Sequence, residues 1–291
     1  MILFSLPVPL QKPLLNGYPR EMIYPSTYSR HPRVIILLEL IPILIAVGVG
    51  AGALGSILGV GGGVIIVPFL TYFGLSPTQT SSTSLFSVLS TSVASTVEYS
   101  RQKRIDYALG LRMAAAAAPG AIVGALLSRQ FTTDSFRLYF GILLILTGLY
   151  ILNRGSLLNG RSLALMGSHK NVIVYAFAFA AGMISSLFGV GGGIIFVPVM
   201  LLFLGVGIHR AAATSQLTLL VTSFAGIITH AYLGNPDYAY ASALALGAFI
   251  GGQIGARISK SAKEKLLEKV LGIVLMGIGL RLIIDWFLKA K

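Results

Sequence analysis

The longest stretch of this sequence without a charged residue or a histidine runs from residue 40 to residue 97, a run of 58 positions. As a single helix it would be about 87 Å long at about 1.5 Å per residue, whereas the hydrocarbon core of a bilayer is about 30 Å thick. A second such run covers residues 171–208. A soluble core could not bury this much apolar sequence. The chain is therefore predicted to be a multi-pass membrane protein whose helices fold back on one another inside the bilayer.

The charged residues are few and lie between the apolar segments. They make up 11% of the chain, against about 25% in a typical soluble domain. The net charge is +13, and basic residues cluster in 101–104, 154–170 and 257–269, which is the pattern of loops at a membrane surface. We therefore expect anionic lipids, and no nucleic acid, as the partners of this charge. Cysteine is absent, which excludes disulfides and Cys-ligated metals.

The sequence contains an internal duplication. Residues 59–68 and 189–198 are identical at eight of ten positions, and the matches centre on glycines, which similar apolar composition alone does not produce. The register then continues with an offset of 131 residues. It pairs Thr83-Ser84 with Thr214-Ser215, Asp106-Tyr107 with Asp237-Tyr238, and Gly120 with Gly251.

The duplication divides the chain into four parts. These are a Pro-rich N-terminal tail (1–33), a first membrane repeat (34–155), a basic connecting loop (156–170) and a second membrane repeat (171–291). The helical segments predicted in the first repeat are 34–58, 62–75, 78–99, 107–128 and 136–153. Those predicted in the second are 171–188, 192–206, 210–232, 238–258 and 270–288.

The number of membrane segments in each repeat depends on the glycine motif. If the motif is a full turn, each repeat has five segments and the two repeats are inverted relative to each other. If the motif is a break inside one tilted span, each repeat has four segments and the repeats are parallel. The basic residues of the loops divide in the same proportion under both alternatives, so the sequence leaves this choice open.

The glycine motif is the first candidate for a binding site. Three consecutive glycines cost a helix about 1 kcal/mol each relative to alanine, so they predict an unwound segment. Such backbone is tolerated at membrane depth where it is buried in protein or lines a cavity. The helix that follows the motif would direct its free N-terminal amides and its positive dipole end at this unwound segment, an arrangement that suits an anion. Close packing or a tight turn is the alternative use of these glycines. The candidate residues are Gly59, Val60, Gly61, Gly62, Gly63, Gly189, Val190, Gly191, Gly192 and Gly193.

The helix after each motif carries hydroxyl side chains at a spacing that places them on one face. Hydroxyls donate to anions or bridge neighbouring helices, and the sequence leaves both uses open. The residues that share this face are Thr83, Ser87 and Thr91, and in the second repeat Thr214, Thr218 and Thr222. The predicted side-chain ligands are Thr83, Ser84, Thr214, Ser215 and Gln216.

Two charged residues fall inside predicted membrane helices. Arg112 and Glu39 each lie about one turn from a helix end, so they are functional candidates that could also snorkel to the surface. Arg112 is predicted to attract the anion. No catalytic, metal-binding or cofactor-binding residue is predicted, because the sequence has no clustered histidines or acidic residues and no nucleotide-binding motif.

Several sequence motifs of this chain resemble those of the TauE/SafE family of sulfite exporters. The resemblance rests on the duplicated Gly-Val-Gly-Gly-Gly-x-Ile-x-Val-Pro, on Ala213-Thr214-Ser215, and on Ala118-Pro119-Gly120-Ala121 with Gly124-Ala125, and it covers residues 35–288. It implies a plasma-membrane permease for sulfite, sulfoacetate or related anions that is coupled to an ion gradient. Ser81-Ser82-Thr83-Ser84 departs from the family pattern, in which alanine and glycine are more usual.

The sequence thus predicts an all-α bundle of two homologous repeats, with helices broken at the glycine motifs. Its predicted function is secondary transport of a small anion, such as sulfite or a sulfonate, by alternating access between the repeats. A proton or a sodium ion is the expected coupling ion. An anion channel is the alternative, and a membrane-embedded enzyme is the third possibility. The sequence leaves the anion, the direction of transport and the oligomeric state open.

Overall fold

The computed structural model describes residues 32–157, 170–261 and 264–289. Within these ranges the regular elements are ten α-helices and a short 3-10 turn, which confirms the all-α class. The first five are α1 (Pro32–Leu58), α2 (Gly63–Tyr72), α3 (Pro77–Arg101), α4 (Tyr107–Leu127) and α5 (Thr133–Leu157), with the 3-10 turn at Ser128–Gln130. The others are α6 (Lys170–Phe188), α7 (Gly193–Leu204), α8 (Ile208–Tyr232), α9 (Tyr238–Ile258) and α10 (Glu264–Lys289).

The described residues from 41 onward pack as one compact unit, and residues 32–40 are helical and belong to a separate unit. Most of the predicted tail (1–33) and of the connecting loop (156–170) lies outside the described residues, so those boundaries stay predictions. In the described part, four helical stretches are long and apolar enough to cross a membrane. They are Leu40–Leu58, Tyr107–Gln130, Ile208–Tyr232 and Tyr238–Ile258.

Helix ends follow local sequence signals. Ser76 caps α3 in a capping box with Gln79, and Pro77 occupies the first turn, where its missing N–H costs nothing. Asp106 and Asp237 cap α4 and α9 by accepting hydrogen bonds from backbone amides of the first turn. The same residue type therefore starts the equivalent helix in each half, as the duplication predicts.

Helices α5 and α10, which correspond to each other under the duplication, cross in opposite directions. A Cβ built on Gly141 would lie 2.8 Å from Cγ1 of Ile283, and one built on Gly148 would lie 2.7 Å from Cγ of Met276. Residue numbers thus rise along one helix as they fall along the other. Equivalent helices at the axis of inverted repeats run antiparallel, whereas those of parallel repeats run in the same direction. The packing is consistent with inverted repeats.

The glycine motif is a turn between two segments, not a break inside one span. Helix α1 runs parallel to α9, because Gly247 abuts Ile45 and Gly255 abuts Ala53. Helix α3 also runs parallel to α9, because Thr91 donates to the carbonyl of Ala248 and Gln102 to that of Ala256. Since α1 and α3 point the same way beside one helix, α2 must run back between them. This direction of α2 is consistent with the alternative of five segments per repeat.

A cluster of apolar side chains joins both glycine turns to α5 and α10. Val60 and Val190 from the two turns are buried in it, together with Leu144 and Leu275, which are equivalent residues of α5 and α10. The ring of Phe188, just before the second turn, lies 5.7 Å from the ring of Phe140. The two turns therefore lie inside the bundle and not at its surface.

Candidate functional site

Each glycine turn closes its preceding helix in a conformation that favours glycine. Gly59 and Gly61 have φ values of 70° and 83°, and Gly189 and Gly191 have 71° and 80°. In the first turn, the amide of Val60 donates to the carbonyl of Gly55 at 2.9 Å, which completes the helix end. A side chain at these positions would be strained whatever the surrounding space. The glycines are thus required for the turn itself.

The two helical hairpins meet tip to tip. We call α1, residues 59–62 and α2 hairpin 1, and α6, residues 189–192 and α7 hairpin 2. A Cβ on Gly63 would lie 2.2 Å from the carbonyl oxygen of Gly189, and one on Gly193 would lie 2.3 Å from that of Gly59. This reciprocal contact leaves no room for a side chain. It confirms that the duplicated motifs come together, as expected for a site between two repeats.

The tips also meet two equivalent side chains of α3 and α8. Positions Gly61 and Gly191 both face Val88 and Leu219, which correspond under the offset of 131. Contact of equivalent residues with both tips marks the position of the pseudo-two-fold axis. Residues 59–64 and 187–193 are all buried.

Short helices begin at each tip with unpaired amides. Within the described residues, the first amides after the turn that donate to a backbone carbonyl are those of Ile65 and Ile66 in hairpin 1, both to Gly62. Ile195 and Phe196 donate to Gly192 in the same way at 2.9 Å. The described residues provide no acceptor for the amides of Gly62, Gly63, Val64, Gly192, Gly193 and Ile194. Two positive helix ends are therefore directed into the interior of the bundle.

Ser84 and Ser215, predicted as ligands, hold the tips. The Ser84 hydroxyl donates to the carbonyl of Gly189 at 2.8 Å, and the Ser215 hydroxyl donates to that of Gly59 at 2.6 Å. Each repeat thus supports the turn of the other. In this conformation both hydroxyl protons are committed to carbonyl oxygens, although the residues do lie at the predicted place.

Thr83 and Thr214 are also paired across the repeats. Thr83 Oγ1 accepts the backbone N–H of Asp237 at 3.1 Å, and Thr214 Oγ1 accepts that of Asp106 at 3.0 Å. Both threonines are fully buried. Their hydroxyls connect α3 and α8 to the starts of α9 and α4, which lie away from the tips along the chain.

Gln216 keeps one polar atom free. Its Nε2 donates to the carbonyl of Gly55 at 3.0 Å, while Oε1 is buried without a hydrogen-bond partner among the described residues. Other buried hydroxyls share this condition. They are those of Ser87, Ser92, Thr96, Ser185 and Ser186. A buried polar atom without a partner is costly, so these oxygens mark places where a ligand or water would be favoured.

The structure does not bring Arg112 to the tips. Its side chain is exposed on α4, one turn after the helix begins at Tyr107. The side chain of Glu39 lies outside the described residues.

A pair of aromatic residues near the hairpins was not predicted as part of the site. Tyr99 donates its hydroxyl to the carbonyl of Ser56 at 2.9 Å. His230, which corresponds to Tyr99 under the offset of 131, makes a 3.1 Å hydrogen bond with the carbonyl of Ser186. Aligning the two repeats at these positions would have identified the pair, because Ser56 and Ser186 also correspond.

The apolar helices and the hairpins that meet tip to tip define a multi-pass membrane protein. The comparison with known families agrees with this class, because the sulfite exporter TauE/SafE family matches residues 44–282. The chain belongs to this family.

Curated relatives carry transporter names. The chain is 32% identical over 270 residues to the probable membrane transporter protein YunE of Bacillus subtilis, a match that covers 84% of this chain and 97% of the relative. It is 27% identical over 239 residues to the probable membrane transporter protein ORF9 of a Sinorhizobium species, with 81% and 89% covered. It is 26% identical over 253 residues to YfcA of Escherichia coli K12, also a probable membrane transporter protein, with 84% and 90% covered. No solved structure gives a significant match.

Proposed function

We propose that this protein is a secondary transporter that moves a small anion, such as sulfite or a sulfonate, across the cell membrane by alternating access around the two hairpin tips. The observation that carries the proposal is the pair of helix N-termini inside the bundle, with amides that have no acceptor among the described residues. Such amides bind anions through fixed dipoles and need no charged side chain. The family description, sulfite exporter, supplies the substrate class.

The proposed site combines backbone and side-chain donors. The backbone part consists of the turns 59–63 and 189–193, and Gln216 adds a buried polar group with a free oxygen. Ser84 and Ser215 become donors to the anion only if their present hydrogen bonds to Gly189 and Gly59 open. We infer that separation of the tips exposes both the amides and these hydroxyls. The other proposed ligands are Thr83 and Thr214, with Arg112 as an outer attracting charge.

Alternating access follows from the pairing of inverted repeats. In such folds the two repeats exchange conformations, which opens the central site to one side and then to the other. Here the elements that would separate are the hairpins, since each tip is held by a serine of the opposite repeat. An anion channel would use the same segments as a continuous pore, so the transport kinetics distinguish the two.

A binding screen tests the proposed substrate class. Purified protein is titrated with sulfite, sulfate, thiosulfate, sulfoacetate and taurine while its thermal unfolding is followed. A ligand that binds only the folded state raises the unfolding temperature in a saturable manner. We expect at least one of the anions to do so, with the zwitterion taurine as the internal comparison. If none of the anions raises the unfolding temperature in a saturable manner, the proposal is contradicted.

A further inference from the structure

His230 is the buried polar residue that can gain or lose a proton near neutral pH. The other buried polar residues that the structure describes are serines, threonines and Gln216. The imidazole is fully buried near the end of α8. A side chain that carries a proton through the described interior of this bundle therefore has to be His230.

The hydrogen bonds of the ring suit both of its charge states. Nε2 lies 3.1 Å from the carbonyl oxygen of Ser186, and Nδ1 lies 3.0 Å from the side-chain amide of Asn235. Because a carbonyl oxygen only accepts, Nε2 carries a proton in either state. Nδ1 accepts from the Asn235 N–H when the ring is neutral. When the ring is charged, Nδ1 donates to the Asn235 oxygen after the amide turns over.

The two sides of the ring face different parts of the molecule. Asn235 is half-buried in the loop between α8 and α9, beside the exposed Gly234. Ser186 belongs to the last turn of α6 and so to hairpin 2. The ring thus connects a loop at the bundle surface with a hairpin that is proposed to move. Asn235 is thus the side chain that stands between Nδ1 and the exposed part of that loop.

Charged groups near the ring come from two neighbouring segments. Arg129, in the 3-10 turn after α4, donates to the carbonyl of Leu233 in the same loop, and its positive charge opposes a second positive charge on His230. Asp237, two residues after Asn235, uses Oδ1 to accept the amides of Ala239 and Tyr240. From α6, the group that faces the ring is the carbonyl of Ser186.

At the equivalent position of the other repeat, Tyr99 makes the same kind of hydrogen bond to a hairpin carbonyl, without acid–base chemistry near neutral pH. Tyr99 donates to the carbonyl of Ser56 just as His230 donates to that of Ser186. Support of a hairpin carbonyl therefore requires only a hydrogen-bond donor. The imidazole adds a second, basic nitrogen that a phenol lacks, and only on the side of hairpin 2.

We propose that His230 carries the coupling proton, so that an anion and a proton bind together and cross the membrane in the same direction; this inference rests on the proposed function. The proton binds Nδ1 from one side and leaves Nδ1 to water on the other side when hairpin 2 has moved. On entry an N–H bond forms at the Nδ1 lone pair as an O–H bond of hydronium breaks, and on exit the N–H bond breaks as water takes up the proton, with no change of oxidation state. The charged ring strengthens the hydrogen bond to hairpin 2, and its positive charge offsets that of the anion in a region of low dielectric.

The test separates coupling from transport. Proteoliposomes of wild type, His230→Gln and Tyr99→Phe are assayed with sulfoacetate, whose acid groups do not titrate near neutral pH, unlike those of sulfite. One assay measures accumulation driven by an imposed pH gradient, and the other measures exchange at equal pH on both sides. We expect His230→Gln to lose accumulation and to keep exchange. We expect Tyr99→Phe, the matched control, to keep the ratio of accumulation to exchange of the wild type.

A second measurement uses the wild-type protein alone, so it tests the inference even if the histidine variant does not fold. Binding of sulfoacetate to the wild-type protein in weak buffer is followed with a pH indicator, and uptake of a proton on binding is expected. Binding without proton uptake overturns the inference. A folded His230→Gln variant that still accumulates sulfoacetate also overturns it. So does a folded His230→Gln variant that loses exchange together with accumulation. A wild type that exchanges anions but ignores the pH gradient also overturns it and leaves the proposed function standing. If the wild type neither binds nor exchanges any anion, the proposed function itself fails.

Discussion

Ser215 donates a hydrogen bond of 2.6 Å to the carbonyl oxygen of Gly59, so a helix of the second repeat holds the tip of hairpin 1. Ser84 makes the reciprocal bond to Gly189. Because both bonds join opposite repeats, neither can persist unchanged when the hairpins separate. The two serines would therefore link the stability of this conformation to the proposed separation of the hairpins.

Removal of either serine hydroxyl should destabilise the observed conformation. Ser215→Ala leaves a buried carbonyl oxygen without its partner, which costs about 1–3 kcal/mol. The unfolding temperature of the detergent-solubilised protein should fall. Ser242→Ala is the control, since Ser242 is exposed and its hydroxyl bonds within its own helix to Ala239. Equal unfolding temperatures for the two variants would show that the Ser215 bond contributes nothing.

Glycines at helix crossings should be sensitive to a single methyl group. A Cβ on Gly124 would lie 2.1 Å from the carbonyl oxygen of Met183, so Gly124→Ala has to push α4 away from α6. We expect a lower unfolding temperature, with transport reduced only in proportion to folded protein. Gly50→Ala is the matched control, because a Cβ on Gly50 meets nothing within 4 Å. If both variants unfold at the same temperature, the crossing is looser than its geometry indicates.

A methyl group at the tip should block the anion without unfolding the protein. Gly62 has a φ of −71°, which alanine adopts freely, and a Cβ there has its nearest contacts at 3.3 Å, so Gly62→Ala requires Ala51 and Thr91 to shift by about a few tenths of an ångström. It places a side chain beside the free amides of hairpin 1, and anion affinity should fall.

Gly207→Ala is the control for that experiment. Gly207 also precedes a helix, α8, and a Cβ on it meets open space. Affinity should be unchanged in this variant, as measured by the ligand-induced shift in unfolding temperature. Retention of wild-type affinity by a folded Gly62→Ala would favour the alternative in which the glycines serve only the turn and the packing.

Arg112 provides a test of long-range attraction. The sequence predicted that its charge strengthens anion binding, but its side chain is exposed on α4, where screening weakens its action on the interior. We now expect Arg112→Ala to change the anion affinity as little as Arg101→Ala does at the end of α3. A much larger loss for Arg112→Ala, measured in the same titration, would restore its role in the site.

Much of the fold follows from the sequence because helices carry local signals. The predicted bounds of α9 are those observed, and the predicted start of α8 differs by two residues. The glycine motifs, which the duplication singled out, meet in the structure, and Gly120, Gly124, Gly251 and Gly255 lie at helix crossings. Each of these features depends on residues close together in the chain or on a repeated pattern.

The direction of α2 and the hydrogen-bond partners of the hydroxyl side chains could not be predicted from such local signals. Both depend on partners more than a hundred residues away. Thr83 and Thr91 share a helix face, yet one accepts the amide of Asp237 and the other donates to the carbonyl of Ala248. The spacing within α3 shows which residues are neighbours on the helix. It carries no information on which backbone groups of the other repeat will face them.

The most direct test of the central claim is a counterflow measurement with the wild-type protein. Proteoliposomes are loaded with an unlabelled anion from the binding screen and diluted into a trace of the same anion in radiolabelled form. A carrier that alternates its access takes up the label transiently above equilibrium, at a saturable rate that the internal anion stimulates. The proposed function predicts this result, because a central site between the two hairpins would serve each side in turn. Uptake that does not saturate and is not stimulated by internal anion would contradict the account and indicate a pore.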